Sequence, residues 1–472
     1  MIHPDHAGAC CIRGPVSVVE PVLPSYLLGL SSYITGRRRT VPVMSGLVAS
    51  TVASPRRWLT LAVGLLAQAA TCAFLYGLPM LVPQLRSELG LSLSSAGAVV
   101  AAPGLGLLLT LIAWGAVADR FGERWVIVAG MGAAGALLVW AGRLDSVAAL
   151  CAVLAAAGAG AASVNAASGR LVLGWFAPHE RGLAMGIRQT GQPLGVAYAA
   201  LVLPPVAHHG GLHAAFEVAA ATCLLFAVLV GVLAQDPPRG ARGSRPPDRH
   251  PYRVPTLWRL HAASTMLVVP QFAVSGFSMI YLVSVRHWDP TAAGRLLFCA
   301  QLLGAAGRIG SGVWSDRVHS RLRPMRQLAV AATLIMAAAA LGDRFDAGWV
   351  IAALVLGAVI TVADNGLAFT AVAEIAGPAW AGRALGAQNT AQNIAATLTP
   401  PLLAGVIASH GYSVGFAVAA AFPILAIALT PVAAERTGRT APQDTSASTV
   451  SSSSSPRHES AVAPAESHGP NP

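Results

Sequence analysis

The sequence of 472 residues contains no lysine; its basic residues are all arginine. Charged residues of any kind make up 11% of the chain, where a soluble domain carries about 25%. That deficit excludes a water-facing globule, and 54% hydrophobic residues with mean hydropathy +0.60 point to lipid as the solvent. Cysteine is scarce and unpatterned. Cys10 and Cys11 lie near the start, and Cys72, Cys151, Cys223 and Cys299 sit singly inside apolar runs. No CxxC or Cys/His spacing is present, so neither a disulfide framework nor a metal site is expected, and these residues read as small core side chains. Nucleotide-binding loops of the GxxxxGK[ST] type, HExxH and GxSxG are also missing. The chain therefore reads as a non-enzyme without cofactor. The net charge of +11 comes from arginines placed between apolar runs and not from a basic soluble face, so no nucleic-acid partner is expected.

What the chain has is long apolar runs. Crossing the hydrocarbon takes roughly 20 residues of helix. Twelve runs reach or approach that length: 58–83, 95–117, 125–142, 146–175, 182–207, 213–233, 258–283, 290–313, 325–341, 347–376, 382–409 and 412–431. Alternate connections are rich in arginine. One set carries Arg120, Arg124, Arg181, Arg239, Arg242, Arg245, Arg249, Arg253, Arg317, Arg321, Arg323, Arg326 and Arg383; the other carries Arg86, Arg143, Arg286 and Arg344. The positive-inside rule then places both termini and the central loop in the cytoplasm of a cell membrane. Residues 1–55 form a leader with no signal-peptide pattern, and a translation start at Met44 is an expectation that N-terminal sequencing can test. Residues 235–257 read as a Pro/Arg-rich linker between membrane segments 56–234 and 258–434, and the Ser/Pro-rich stretch 435–472 as a disordered tail.

The two membrane segments repeat one another at an offset near 200 residues. Gly115-x-x-x-Asp119-Arg120 recurs as Gly312-x-x-x-Asp316-Arg317. Asn165, Pro178, Gly182, Ala184, Gly186, Thr190 and Gln192 recur as Asn365, Pro378, Gly382, Ala384, Gly386, Thr390 and Gln392. Trp58/Trp258, Trp114/Trp314 and Gln68/Gln271 extend the match. Ordered matches over both segments indicate an internal duplication.

Gly115-x-x-x-Asp119-Arg120-x-Gly122-x-Arg124 resembles the loop 2–3 signature of the major facilitator superfamily, and Gly312-x-x-x-Asp316-Arg317 its weaker copy in loop 8–9. Glu123 stands where a second basic residue is common. The resemblance covers roughly residues 58–431. It implies an all-α membrane protein of twelve transmembrane helices in two pseudo-symmetric six-helix bundles. The halves would rock about a central site and act as a functional monomer. Gly115, Asp119, Arg120, Gly122, Arg124, Gly312, Asp316 and Arg317 would form gate elements, with Asp119 at the N-terminus of the eleventh helix near Gly382, where the helix dipole favours a carboxylate. The other reading is that these are ordinary anchoring charges.

Polar groups inside spans are costly and mark function. The first, fourth, seventh and tenth helices line the cavity in the resembled fold, and each offers a midplane amide: Gln68, Asn165, Gln271 and Asn365. Interhelical glue is the competing role for each. Asp364 is the acid nearest mid-span and the candidate proton-coupling residue; a permanent ion pair with a nearby arginine is the alternative. Arg170, Arg188 and Arg308 also fall inside spans. Guanidinium forks suit carboxylate or phosphate, and Arg188, with Gln192 one turn on, is the expected substrate contact. Arg170 and Arg308 fit better in an inner gate with Asp119, Asp316, Glu180 or Glu374. Gln388/Gln392 and Asn389/Asn393 repeat the four-residue spacing. The function these residues support is secondary, proton-coupled transport of a small organic solute, with an anion as one substrate class they suit. A drug or metabolite efflux antiporter is the runner-up, although Gly191–Gly195 matches the drug-antiporter Gly-Pro-x-x-Gly-Gly pattern only in part. A transport-inactive membrane sensor ranks lowest.

Overall fold

The computed structural model describes residues 56–237 and 250–439. The leader with its Met44 start, the central-loop arginines from Arg239 to Arg249, and the tail beyond Arg439 lie outside the described residues. The described chain is helical throughout, as apolar runs with no alternating pattern require in lipid, where each backbone N–H and C=O must be satisfied within its own segment.

In the first segment, α1 (Arg56–Gly77) passes through a 3-10 turn (Leu78–Leu81) into α2 (Val82–Glu88). α3 (Leu93–Phe121), α4 (Glu123–Ala141), α5 (Val147–Leu173), α6 (Arg181–Gln189) and α7 (Gly191–Leu233) follow. In the second, a 3-10 turn (Pro251–Arg253) leads into α8 (Pro255–Ser284). Then come α9 (Pro290–Arg317), α10 (Leu322–Arg344), α11 (Trp349–Ala363), α12 (Asn365–Ala376), α13 (Ala381–Leu429) and α14 (Val432–Arg439). Ten stretches among the described residues are long and apolar enough to cross a membrane. Two of them, 181–233 and 381–435, far exceed one bilayer. Each is interrupted by one glycine in non-helical backbone, Gly211 at φ 73° and Gly411 at φ 84°, 200 residues apart. Only glycine adopts that conformation without strain. These two glycines mark the same joints as the sequence breaks at 207–213 and 409–412.

Within the first segment α3 packs on α5, α1 on α7, and α4 on both α5 and α7; within the second α8 packs on α13, and α11 on α9 and α10. One apolar core fills the first segment around Ile127, Met131, Leu138 and Leu154. In the second, Tyr281 meets Tyr412 (5.0 Å) and Phe416 (5.7 Å) edge to face, and Tyr412 lies tilted against Phe416 at 6.0 Å.

The segments meet along α3 with α13 and α9 with α6. Small residues set both crossings. A Cβ at Gly115 would strike the carbonyl of Gly382, and one at Gly312 the carbonyl of Gly182; Gly186 and Gly386 lie equally close to Arg308 and Leu111 backbone. Close approach of this kind substitutes for the hydrophobic drive that lipid does not supply.

The ends of the expected linker and tail are built into the bundle. The Asp236 carboxylate accepts from the backbone N–H groups of Glu123 (3.1 Å) and Arg124 (2.8 Å) at the start of α4. The Glu435 carboxylate does the same for Arg321 (2.7 Å) and Leu322 (3.0 Å) at the start of α10. The sequence puts 435–472 down as a structureless tail, yet α14 continues to Arg439. An acidic side chain satisfying orphan N–H groups at a helix start holds the chain there.

Candidate functional site

Two sites emerge, a gate and a cavity, both shared between segments. At the gate, Asp119 near the end of α3 accepts from Gly382 N (2.8 Å) and Arg383 N (3.1 Å), the first turn of α13. Asp316 near the end of α9 accepts from Gly182 N (3.0 Å) and Leu183 N (2.8 Å), the first turn of α6. Each carboxylate thus caps a helix of the other segment. Arg170 on α5 donates to Asp119 and forms an ion pair with Glu123 at 2.7 Å. Arg321 reaches Asp316 at 2.5 Å and donates to the Pro178 carbonyl across the interface. Arg181 and Glu374 add a cross-segment pair at 3.3 Å.

The other motif residues hold the loops. Gly122 joins α3 to α4 at φ 105°. Arg124 donates to the Gly231 carbonyl and lies over Trp125, and Arg120 lies over Phe121. Arg317 is exposed. Arg308, expected at the gate, makes no described ion pair to Asp119 or Asp316; it faces Asp364 instead.

Further into the bundle lies a cavity of about 80 Å3, room for several waters or one compact solute. Gln68, Asn165, Arg188, Gln192, Gln271 and Asn365 all line it. α1 and α5 bring the first amide pair together, Gln68 Nε2 donating to Asn165 Oδ1 at 2.9 Å. α8 and α12 bring the second, Asn365 Nδ2 donating to Gln271 Oε1 at 3.1 Å. Asn389 Nδ2 crosses between segments to the Asn165 carbonyl at 3.2 Å.

Arg188 is 3% exposed and points into this cavity. Its guanidinium donates to Gln68 Oε1 (3.0 Å), Ser168 Oγ (2.7 and 3.1 Å) and Gln189 Oε1 (2.6 Å). No carboxylate pairs with it among the described residues. At the matching position, Gln388 is satisfied by Ser264 and His261, both at 2.5 Å. Asp364 sits in the break between α11 and α12, 2% exposed, with one carboxylate oxygen lacking a partner. It lies outside the cavity lining, beside Arg308.

Sequence reasoning missed several of these groups. Cys72, read as core, lines the cavity, as do Tyr76, Phe272 and Phe369. The signal was there in part: Gln68, Cys72 and Tyr76 recur every four residues on one face of α1. Ser168 gave no signal, being one small residue among many on α5.

The sequence profile of the Major Facilitator Superfamily matches residues 64–400. The chain belongs to the Major Facilitator Superfamily. It is thus a multi-pass membrane transporter and not an enzyme. An uncharacterised superfamily-type transporter of Mycobacterium tuberculosis is 42% identical over 383 residues, 80% of this chain and 85% of the relative. A probable sulfoacetate transporter, SauU, of Cupriavidus necator is 26% identical over 72% of this chain and 85% of that protein. Among solved structures, the E. coli fucose:proton symporter FucP matches with TM-score 0.65 at 14% identity, covering 80% of this chain and 98% of that one. The human organic anion transporter MFSD10 matches with TM-score 0.61 at 17% identity, covering 80% and 100%. These two likenesses concern the superfamily fold.

Proposed function

We propose that the protein is a secondary active carrier for a small organic anion, taken up or expelled with a proton by alternating access. The supporting observation is Arg188: a guanidinium buried in the cavity, held by neutral groups alone. A buried cation without a counter-ion is costly, and an anionic substrate would supply the missing charge through bidentate hydrogen bonds. Amides from both segments surround it, which suits a polar solute better than a hydrophobic drug. The C. necator relative's named substrate, sulfoacetate, is an anion of this kind.

In this proposal the chain crosses the membrane twelve times, as two six-helix halves, 56–234 and 258–434, with the long stretches turning at Gly211 and Gly411. The arginine bias puts the Asp119–Asp316 end and both termini in the cytoplasm of a cell membrane. The described hydrogen bonds and ion pairs that cross between halves lie at that end or beside the cavity. At the opposite end they stay within one half, as in Tyr281–Asp343 (2.9 Å) and His213–Glu217 (3.1 Å). Such a pattern fits a carrier shut toward the cytoplasm. Asp364 is the proposed proton carrier, and the protein works as a monomer.

Thermal-shift titration of the purified carrier with organic anions, cations and sugars tests the substrate class. Stabilisation by anions that disappears in Arg188→Gln is expected; stabilisation by cationic or apolar drugs alone would refute it. For coupling, Asp364→Asn should abolish uptake driven by a pH gradient in proteoliposomes while leaving substrate counterflow intact.

A further inference from the structure

Arg188 is not the sole buried guanidinium near the cavity. Arg308 on α9 is 4% exposed, its Nε is fully buried without a partner, and no hydrogen bond or ion pair to its side chain occurs among the described residues. A guanidinium carries five donors that burial leaves expensive unless used. The charged group acting on it is Asp364, which stays outside ion-pair distance and leaves one oxygen unpartnered. The Arg308 backbone carbonyl lies against Gly186 on α6, two residues before Arg188, whose side chain lines the cavity. Two cations and one acid are therefore buried on packed elements, with Arg188 in the cavity lining and Asp364 next to Asn365 of that lining. Electrostatic influence extends several ångströms in a medium of low dielectric, so Arg308 adds to the potential in the cavity without itself being in the lining.

Building on the anion site proposed above, we infer that the substrate is a compact dianion, with Arg188 binding one negative group and Arg308 supplying the positive potential for the second. The roles follow from the partners. Arg188 already has three neutral hydrogen-bond partners that can be exchanged for a carboxylate or sulfonate. Arg308 has unused donors and is opposed by a single acid, Asp364, on the adjoining helix break. A proton on Asp364 removes that opposition, so proton and dianion favour each other's binding. Arg308 is the charged group facing Asp364 from the packed elements; Ser311, the neighbouring polar group on α9, donates to the Ala363 carbonyl at 2.6 Å and is already committed. A dianion with one proton also leaves the loaded site closer to neutral than either ligand alone.

The test uses the full-length carrier in detergent and acids matched in size but not in charge: sulfoacetate against isethionate, and succinate against 4-hydroxybutyrate. Half-saturation of the thermal shift is measured for each. The dianion of at least one pair should half-saturate at a tenfold or greater lower concentration than its monoanionic partner. Arg308→Gln should bring that ratio to within threefold of unity, leave monoanion binding measurable, and Arg308→Lys should preserve the ratio. Should Arg308→Gln fail to fold, Asp364→Asn serves in its place: removing the opposing charge should widen the ratio. Equal binding of both members by the wild-type protein, a tenfold ratio retained in Arg308→Gln, or a ratio narrowed in Asp364→Asn would overturn the dianion inference while leaving the anion site standing. Absence of any shift with all four acids would overturn the anion site along with it.

Discussion

Asp119 caps α13 with help from Arg170 on its own half, while Asp316 caps α6 with help from Arg321, five residues along its own loop. Gly122 supplies the positive φ that follows the first motif; at the matching place in the second copy His319 adopts φ 50°. The cavity shows the same half-symmetry. Gln68–Asn165 and Gln271–Asn365 mirror each other, but Arg188 faces Gln388 across the pseudo-axis and Asp364 replaces Val164. A duplicated scaffold can rock because its two crossings are equivalent. Substrate selection and coupling require that the halves differ, and two charged differences, Arg188 and Asp364, lie at the cavity and beside it. In the proposed carrier, duplication would supply the motion and divergence the chemistry.

The largest effect should come from the position where the halves differ most. Arg188→Gln, which makes the first half resemble the second, should lower anion uptake in proteoliposomes at least a hundredfold, since a charged hydrogen-bonding partner is lost in a buried site. Gln388→Ala on the mirror position should cost less than tenfold. Equal losses would mean that the two positions serve packing alike, and the comparison would break.

Next come the crossings, where the halves agree. Gly115→Val and Gly312→Val each push a side chain into a facing backbone carbonyl. Both should open the Asp119–Asp316 end, read as longer spin-label distances between the halves at that end, with transport reduced about tenfold or more. Asp119→Asn and Asp316→Asn should shift the same distances less, each weakening two charge-assisted caps worth about 1.5–3 kcal/mol apiece. A variant that moves one crossing and not the other would show that one side dominates the gate.

Much of the scaffold was legible in the sequence because lipid leaves few choices: about twenty apolar residues make a helix long enough to cross it. The offset of 200 residues made Asp119 and its partner near Gly382 readable, since a duplicated motif points to a duplicated contact. Gln68, Asn165, Gln271 and Asn365 could be placed in one layer by counting along helices. The sequence could not show where a long side chain turns. Arg170, Arg188 and Arg308 fall at similar depths, yet Arg170 reaches the gate and Arg188 the cavity, while Arg308 stays buried on α9 with no ion pair among the described residues. Those directions follow from helix rotation and from neighbours such as Ser168, which no spacing announces. Asp236 and Glu435 escaped for another reason: both lie where composition turns polar, and composition alone cannot tell a capping carboxylate from a solvated one.

Those two acids give the smallest and cleanest comparison. They lie 199 residues apart, and each follows the last long helix of its half and returns to the N-terminus of an earlier one, Asp236 to α4 and Glu435 to α10. Losing a cap costs roughly 0.5–2 kcal/mol. Asp236→Ala and Glu435→Ala should therefore each lower the Tm by a few degrees and leave the Arg188-dependent anion affinity unchanged, because neither touches the cavity. Glu435 also accepts from the Ser320 hydroxyl, a contact with no described counterpart at Asp236. Its loss should be the larger of the two. A greater drop for Asp236→Ala would mean that the caps differ through the strain of their connections and not through the number of donors they hold.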